Sequence, residues 1–212
     1  MPESDLDRVL NQPVLLGGFA DLFAASLEGE DLAEWRDGTL GRLAPLLGEP
    51  GCAEPLARAA GVLAGLGEGA EAVSTLNVSH VRLFSGFGGP RGHAAPYESL
   101  YRGEGTRLFG EPAAEMAVLL AANGLAVARD CAEAPDHLAV ELLALAALLQ
   151  AGAPGAPGAP DAAGLRARLA GWVPDFAAAC AVCDELGFYA AVAAGLEAFL
   201  RLGGAAGVSP ST

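Results

Sequence analysis

The 212-residue chain is 52% hydrophobic and 18% charged, which excludes a disordered polymer and supplies enough apolar surface for a sizeable core in one domain or two small lobes. Twelve basic residues against 26 acidic ones leave a net charge of −14, a field that repels nucleic-acid phosphates and anionic lipid and attracts cationic partners. No apolar run approaches the roughly 18 residues of a membrane span, and the acidic start MPESDLDRVLNQP lacks the basic-then-apolar layout of a secretory signal. Together with four irregularly spaced cysteines, this makes the cytoplasm the expected compartment, without membrane insertion.

The chain has no lysine and no isoleucine, a composition that fits codon bias in a GC-rich genome. It also removes Schiff-base and P-loop lysine chemistry. Alanine and leucine dominate, alternating β-branched runs are nearly absent, and the expected fold class is all-α. Val14, Leu15, Phe19, Leu22, Phe23 and Leu27 form a first helical stripe. Leu32, Trp35, Leu40, Leu43 and Leu47 suggest a second helix, interrupted at Gly38. Helices are expected from about Ala53 to Leu66 and from about Ala70 to Phe84, followed by the breaker-rich Ser85–Pro96, which reads as a surface loop. A helix from about Pro112 to Asn123 stops at Gly124, a plausible C-cap. Another starts near Pro135, a residue suited to the first helical position, and runs to about Gln150. The Gly-Ala-Pro triplets of 151–160 read as a flexible connector, and two more helices are expected over Pro174–Leu186 and Phe188–Leu202.

Most candidate chemistry has a plain alternative. Cys180 and Cys183 form a CxxC whose sulfurs share a helix face. A structural zinc needs four ligands, and neither a second CxxC nor an HxxxH exists, with Cys52 and Cys131 isolated. Small buried cysteines are therefore expected rather than a metal site, and a metal- or cofactor-binding helical protein using Cys180 and Cys183 is the alternative reading. The glycine-rich stretch 86–92 lacks GxxxxGK[ST] and the third glycine of GxGxxG, so no nucleotide cofactor is expected. Ser85 and Ser99 sit in no GxSxG elbow, so no catalytic residue is assigned. Tyr97 and Tyr101, four apart and flanking Glu98, have the composition of a groove floor for an apolar peptide with polar edges. Glu133-Ala134-Pro135-Asp136-His137, with Glu141 one turn on, gathers three acids and a histidine at one helix end. Capping explains this cluster; so does an anionic patch that receives a partner's guanidinium.

Four segments resemble the TorD/DmsD/NarJ-type chaperones of molybdenum redox enzymes. They are Val81-Arg82-Leu83-Phe84 before the glycine-rich loop; Ala95-Pro96-Tyr97-Glu98-Ser99-Leu100-Tyr101 ahead of Leu108-Phe109-Gly110; Glu133-Ala134-Pro135-Asp136-His137-Leu138, matching an E-x-P-D-H signature; and Trp172-Val173-Pro174-Asp175-Phe176 with Phe188-Tyr189. The resemblance covers roughly residues 80–200. It implies a bundle of two helical lobes, about 1–130 and 131–205, with a loop at 151–164. It implies a cytoplasmic chaperone, not an enzyme. Such a chaperone binds the twin-arginine-type leader of a molybdopterin-dependent oxidoreductase precursor until its cofactor is inserted, before export or assembly. A monomer or homodimer is compatible with it. The implied leader-binding residues are Tyr97, Tyr101, Glu133, Pro135, Asp136 and His137. Leu83 and Phe84 would help pack the leader's apolar stretch, and Glu98 would help face its arginines.

Overall fold

A computed structural model describes residues 3–24, 32, 35–85, 92–102, 108–128, 131–151 and 162–205. The α-helices are α1 (Glu3–Ala24), α2 (Ala53–Gly65), α3 (Ala70–Phe84), α4 (Glu111–Ala122), α5 (Leu138–Ala151), α6 (Ala162–Cys183) and α7 (Phe188–Ala205). Among the described residues there is no β-strand, and one isolated antiparallel bridge joins Tyr97 to His137. No described helix is long and apolar enough to cross a membrane.

The chain groups into two units, each drawn from two stretches of sequence: residues 1–24 with 97–166, and residues 25–96 with 167–212. The lobe boundary expected near residue 130 falls inside the first unit. The reason is physical: α1 packs along α5, so the N-terminal stretch is grouped with residues more than a hundred positions away. Leu15, Leu16, Phe19, Leu22 and Phe23 of α1 are buried, as are Leu138, Leu142, Leu145 and Leu148 of α5. Val14, expected on the buried stripe, is instead 49% exposed, and Leu27 lies outside the described residues.

In the second unit α2 packs on α7, where Gly195 lets the helices approach closely: a Cβ there would lie 2.8 Å from Leu56 Cδ2. Trp172, Phe176, Phe188 and Tyr189 are fully buried, with Phe84 5.0 Å from Tyr189 and 6.2 Å from Phe176 between ring centroids. The C-terminal aromatic motifs are thus core.

Three expectations are corrected. Leu32–Leu47 does not form one helix. The interruption expected at Gly38 is absent: residues 35–42 are helical, with a π-helical turn over Trp35–Leu40, and a separate 3-10 turn over Ala44–Gly48 follows with Pro45 in its first turn, leaving Leu47 exposed. Pro174 does not start a helix but lies inside α6. The buried stripe Leu169, Trp172, Val173, Phe176 and Cys180 runs across it at helical spacing, and its burial outweighs the one backbone bond that proline removes. The helix expected from Pro135 begins at Leu138. Gly124 behaves as expected: with φ +68 it closes α4 in a Schellman motif, Leu125 N donating to Leu120 O at 2.8 Å and Gly124 N to Ala121 O at 3.1 Å. The glycine-rich stretch 86–91 and the connector 152–161 lie outside the described residues.

The α1–α5 contact is the main apolar contact of the first unit, so Leu145→Ala should lower the unfolding free energy by about 2–5 kcal/mol in urea titration. Leu143→Ala, at a site that is 51% exposed, should change it by no more than about 0.5 kcal/mol.

Candidate functional site

The site lies in the first unit, where two short segments cross. Tyr97 is extended, and Glu98–Leu100 forms one 3-10 turn. Opposite, Ala134–His137 forms a turn closed by His137 N donating to Ala134 O at 3.0 Å. Glu98 N donates to Asp136 O at 3.0 Å, which completes the bridge between Tyr97 and His137. Asp136 Oδ2 accepts the Ser99 N–H at 3.0 Å and also the Ser99 hydroxyl. Asp136, Ser99 and Glu98 are buried.

His137 is the N-cap of α5. Its backbone carbonyl accepts the Glu141 N–H at 3.0 Å, and its Nδ1 accepts the Ala139 N–H at 3.1 Å. An accepting Nδ1 places the ring proton on Nε2, which faces Glu133 Oε2 at 3.9 Å. Burial holds the imidazole below its ordinary range, against the opposing pull of the Glu133 and Asp136 charges, so the neutral ring is the native form. The Tyr97 ring meets His137 edge-on at 4.9 Å, and the Tyr97 hydroxyl donates to Glu133 Oε2. Burial, together with that bond and the carboxylate charge, raises the Tyr97 hydroxyl well above its ordinary value and keeps it a donor.

On the other side of the turn Arg102 Nη1 reaches Glu98 Oε1 at 2.5 Å, and Nη2 lies 3.6 Å from Glu115. The bond to Glu98 is the main reason the guanidinium is raised further. The i,i+4 spacing of Glu98 and Arg102, visible in sequence, was the signal for this pair.

The structure therefore brings Tyr97, Glu98, Glu133, Asp136 and His137 together, adds Ser99, and divides their roles. Glu133, 31% exposed at its side chain, stays at the rim beside half-buried Tyr97, and Tyr101 and Pro135 are half-buried too. Asp136 does not face solvent as expected for a guanidinium receiver. It is fully buried, its Oδ2 is taken by Ser99, and Glu141 is buried too. Nor do Tyr97 and Tyr101 share a helical face: Tyr97 precedes the 3-10 turn and Tyr101 caps its end. Leu83 and Phe84 belong to the second unit. Both are buried there, Phe84 in ring contact with His80, and neither offers the exposed apolar surface expected of it.

The paired cysteines also part company. Cys180 is buried, and burial raises its thiol well above the ordinary value; Cys183 is half-buried, with Sγ 3.7 Å from the His93 carbonyl oxygen. Among the described residues no group of three or more His, Cys, Asp or Glu side chains could hold a metal.

Fold and site define an all-α protein whose acid-and-histidine turn is fixed by hydrogen bonds, with one carboxylate left at its rim. The chain belongs to the family described as nitrate reductase delta subunit, whose model matches residues 49–178. Similar curated proteins are each named chaperone protein TorD. That of Photobacterium profundum is 35% identical over 120 residues, covering 53% of this chain and 56% of its own length. That of Vibrio parahaemolyticus is 37% identical over 116 residues (51% and 54%), and that of Vibrio cholerae 35% over 118 (52% and 53%). The chain spans about half the length of the curated relatives it matches.

Asp136→Ala strands the buried Ser99 N–H and hydroxyl and should lower unfolding free energy by about 1–3 kcal/mol in denaturant titration. His137 gives a pH signature. Its folded value lies below the unfolded one near 6.5, so the unfolded chain binds the proton first, and stability drops as pH falls below about 6.5 until the folded value is passed. His137→Asn keeps an acceptor for the Ala139 N–H but cannot titrate, so its stability should fall less than wild type between about pH 7.5 and about pH 5.

Proposed function

We propose that the protein is a cytoplasmic chaperone of a molybdopterin-dependent oxidoreductase precursor. It binds the arginine-bearing leader of the catalytic subunit and holds it while cofactor is inserted, before export or assembly. The observation that carries this reading is the rim carboxylate: Glu133 is held in place by the Tyr97 hydroxyl at the edge of a turn whose other acids are turned inward. A carboxylate already oriented by a neighbour offers its second oxygen to a guanidinium at little ordering cost. The half-buried rings of Tyr97 and Tyr101 and the face of Pro135 suit the apolar part of such a leader.

In this reading Glu133, Tyr97, Tyr101 and Pro135 touch the leader. Asp136, His137 and Glu98 act behind them: Asp136 and His137 fix the turn, and Glu98 anchors Arg102. The net charge of −14 favours a cationic client and steers its approach. Membership of the family and the TorD chaperones among the similar proteins support the same reading. A metal-binding role for Cys180 and Cys183 has less support, since burial opposes a thiolate at Cys180 and the described residues supply no further ligands.

The test is calorimetry with a synthetic peptide carrying two adjacent arginines before an apolar stretch. A charge-assisted contact contributes roughly 1.5–3 kcal/mol, so Glu133→Gln should weaken binding about tenfold or more. Its affinity should also depend less steeply on salt than that of wild type. Unchanged affinity and salt dependence in a normally folded Glu133→Gln protein would refute the assignment.

A further inference from the structure

The second unit contains a groove of about 500 Å³ apart from the Glu133–Tyr97 rim. The volume falls within the roughly 300–1,000 Å³ of ligand pockets. One wall is a single face of α3: Glu71, Ser74, Thr75, Val78, Ser79 and Leu83 recur at spacings of three and four. The opposite wall is the turn that joins α6 to α7, and it is firmly built. Asp184 is buried, its carboxylate accepts the Leu186 N–H at 3.0 Å and the Ala190 N–H at 2.9 Å, and Ser79 Oγ donates to it at 3.3 Å from across the groove.

The lining has a definite chemistry. Val78 and Leu186 make an apolar strip, and Val78 is 46% exposed. Among the described lining residues, Glu71, Asp184 and Glu185 set three carboxylates beside the guanidinium of Arg82. Arg82 lies eleven residues along α3 from Glu71, about 16 Å at a helical rise, so the two ends of the α3 wall differ in charge. A phosphate-bearing or carboxylate ligand meets net repulsion at the Glu71 end. A cation with an apolar stem meets both an attractive field and an apolar strip.

We propose that this groove is a second seat for the client: it takes an arginine-bearing, partly apolar peptide segment, with the guanidinium towards Glu71 and Glu185 and an aliphatic neighbour on Val78 and Leu186. The proposal shares the client class of the proposed function but rests on a different set of residues.

Cys183 lines the groove and serves as a built-in reporter. Cys131 is exposed while Cys52 and Cys180 are buried, so a Cys131→Ser full-length protein directs a maleimide to Cys183. The probe is the same two-arginine peptide, with binding measured by calorimetry and Cys183 labelling followed by mass spectrometry. At nine-tenths occupancy the labelling rate should fall roughly tenfold by mass action. Two variants should abolish this protection: Val78→Trp, which fills the groove from an exposed position, and the pair Glu71→Gln with Glu185→Gln. A peptide with both arginines replaced by glutamine should not protect. Calorimetric binding with unchanged Cys183 labelling would overturn this second seat and leave the Glu133 site standing. Protection by the arginine-free peptide would overturn the charge assignment. No binding in calorimetry would overturn both this inference and the proposed function.

Discussion

The first unit's candidate site depends on one buried carboxylate. Asp136 Oδ2 accepts both the backbone and the side chain of Ser99, 37 residues away in sequence, and the Asp136 carbonyl accepts the Glu98 N–H. Taking a carboxylate out of water is costly; here Oδ2 recovers part of that cost by holding the 97–101 segment against the start of α5, while Oδ1 is buried without a hydrogen-bond partner among the described residues. The consequences are concrete. Tyr97 is extended because it bridges His137, its hydroxyl meets Glu133 because the ring stands edge-on to the imidazole, and Glu133 is left at the rim.

The acid cluster admits two readings, capping and recognition, and its residues differ in which they suit. His137 caps α5 through Nδ1, Asp136 secures the neighbouring segment, and Glu133 alone of the three acids at that helix end keeps a substantially exposed carboxylate. The proposed chaperone activity thus assigns recognition to a residue outside the buried pair, and the strong negative charge of the chain acts as a long-range field around it.

Much of the helical layout was legible in sequence because it follows from local rules: the 3.6-residue stripe of α3, Gly124 ending α4, and the alanine- and leucine-rich α5 and α7. What was illegible follows from tertiary contacts. Pro174 reads as a helix start until the apolar residues on both its sides are seen buried along one face. Pro135 reads as a first helical residue until His137 supplies the cap two positions later. The pattern of one sequence does not show that α1 belongs with α5, because amphipathic stripes do not name their partners. That the candidate residues meet was legible; their orientation was not. The E-x-P-D-H segment and Tyr97 do meet, yet sequence could not tell which carboxylate points inward, since that depends on Ser99, a residue weighed only as a nucleophile. Leu83 and Phe84 read as exposed anchors and prove to be buried, a distinction set by the aromatic packing of the second unit.

The central claim is that an arginine-bearing leader is recognised at the Glu133–Tyr97 rim while the Asp136–Ser99 pair holds the frame. Nuclear magnetic resonance of the full chain, titrated with the leader peptide, tests this most directly. The expected result is that the Glu133 carboxyl carbon and Tyr97 ring signals move together and saturate at one peptide concentration, while the Ser99 amide keeps its position and its protection from exchange. Unmoved Glu133 and Tyr97 signals at saturating peptide would contradict the account.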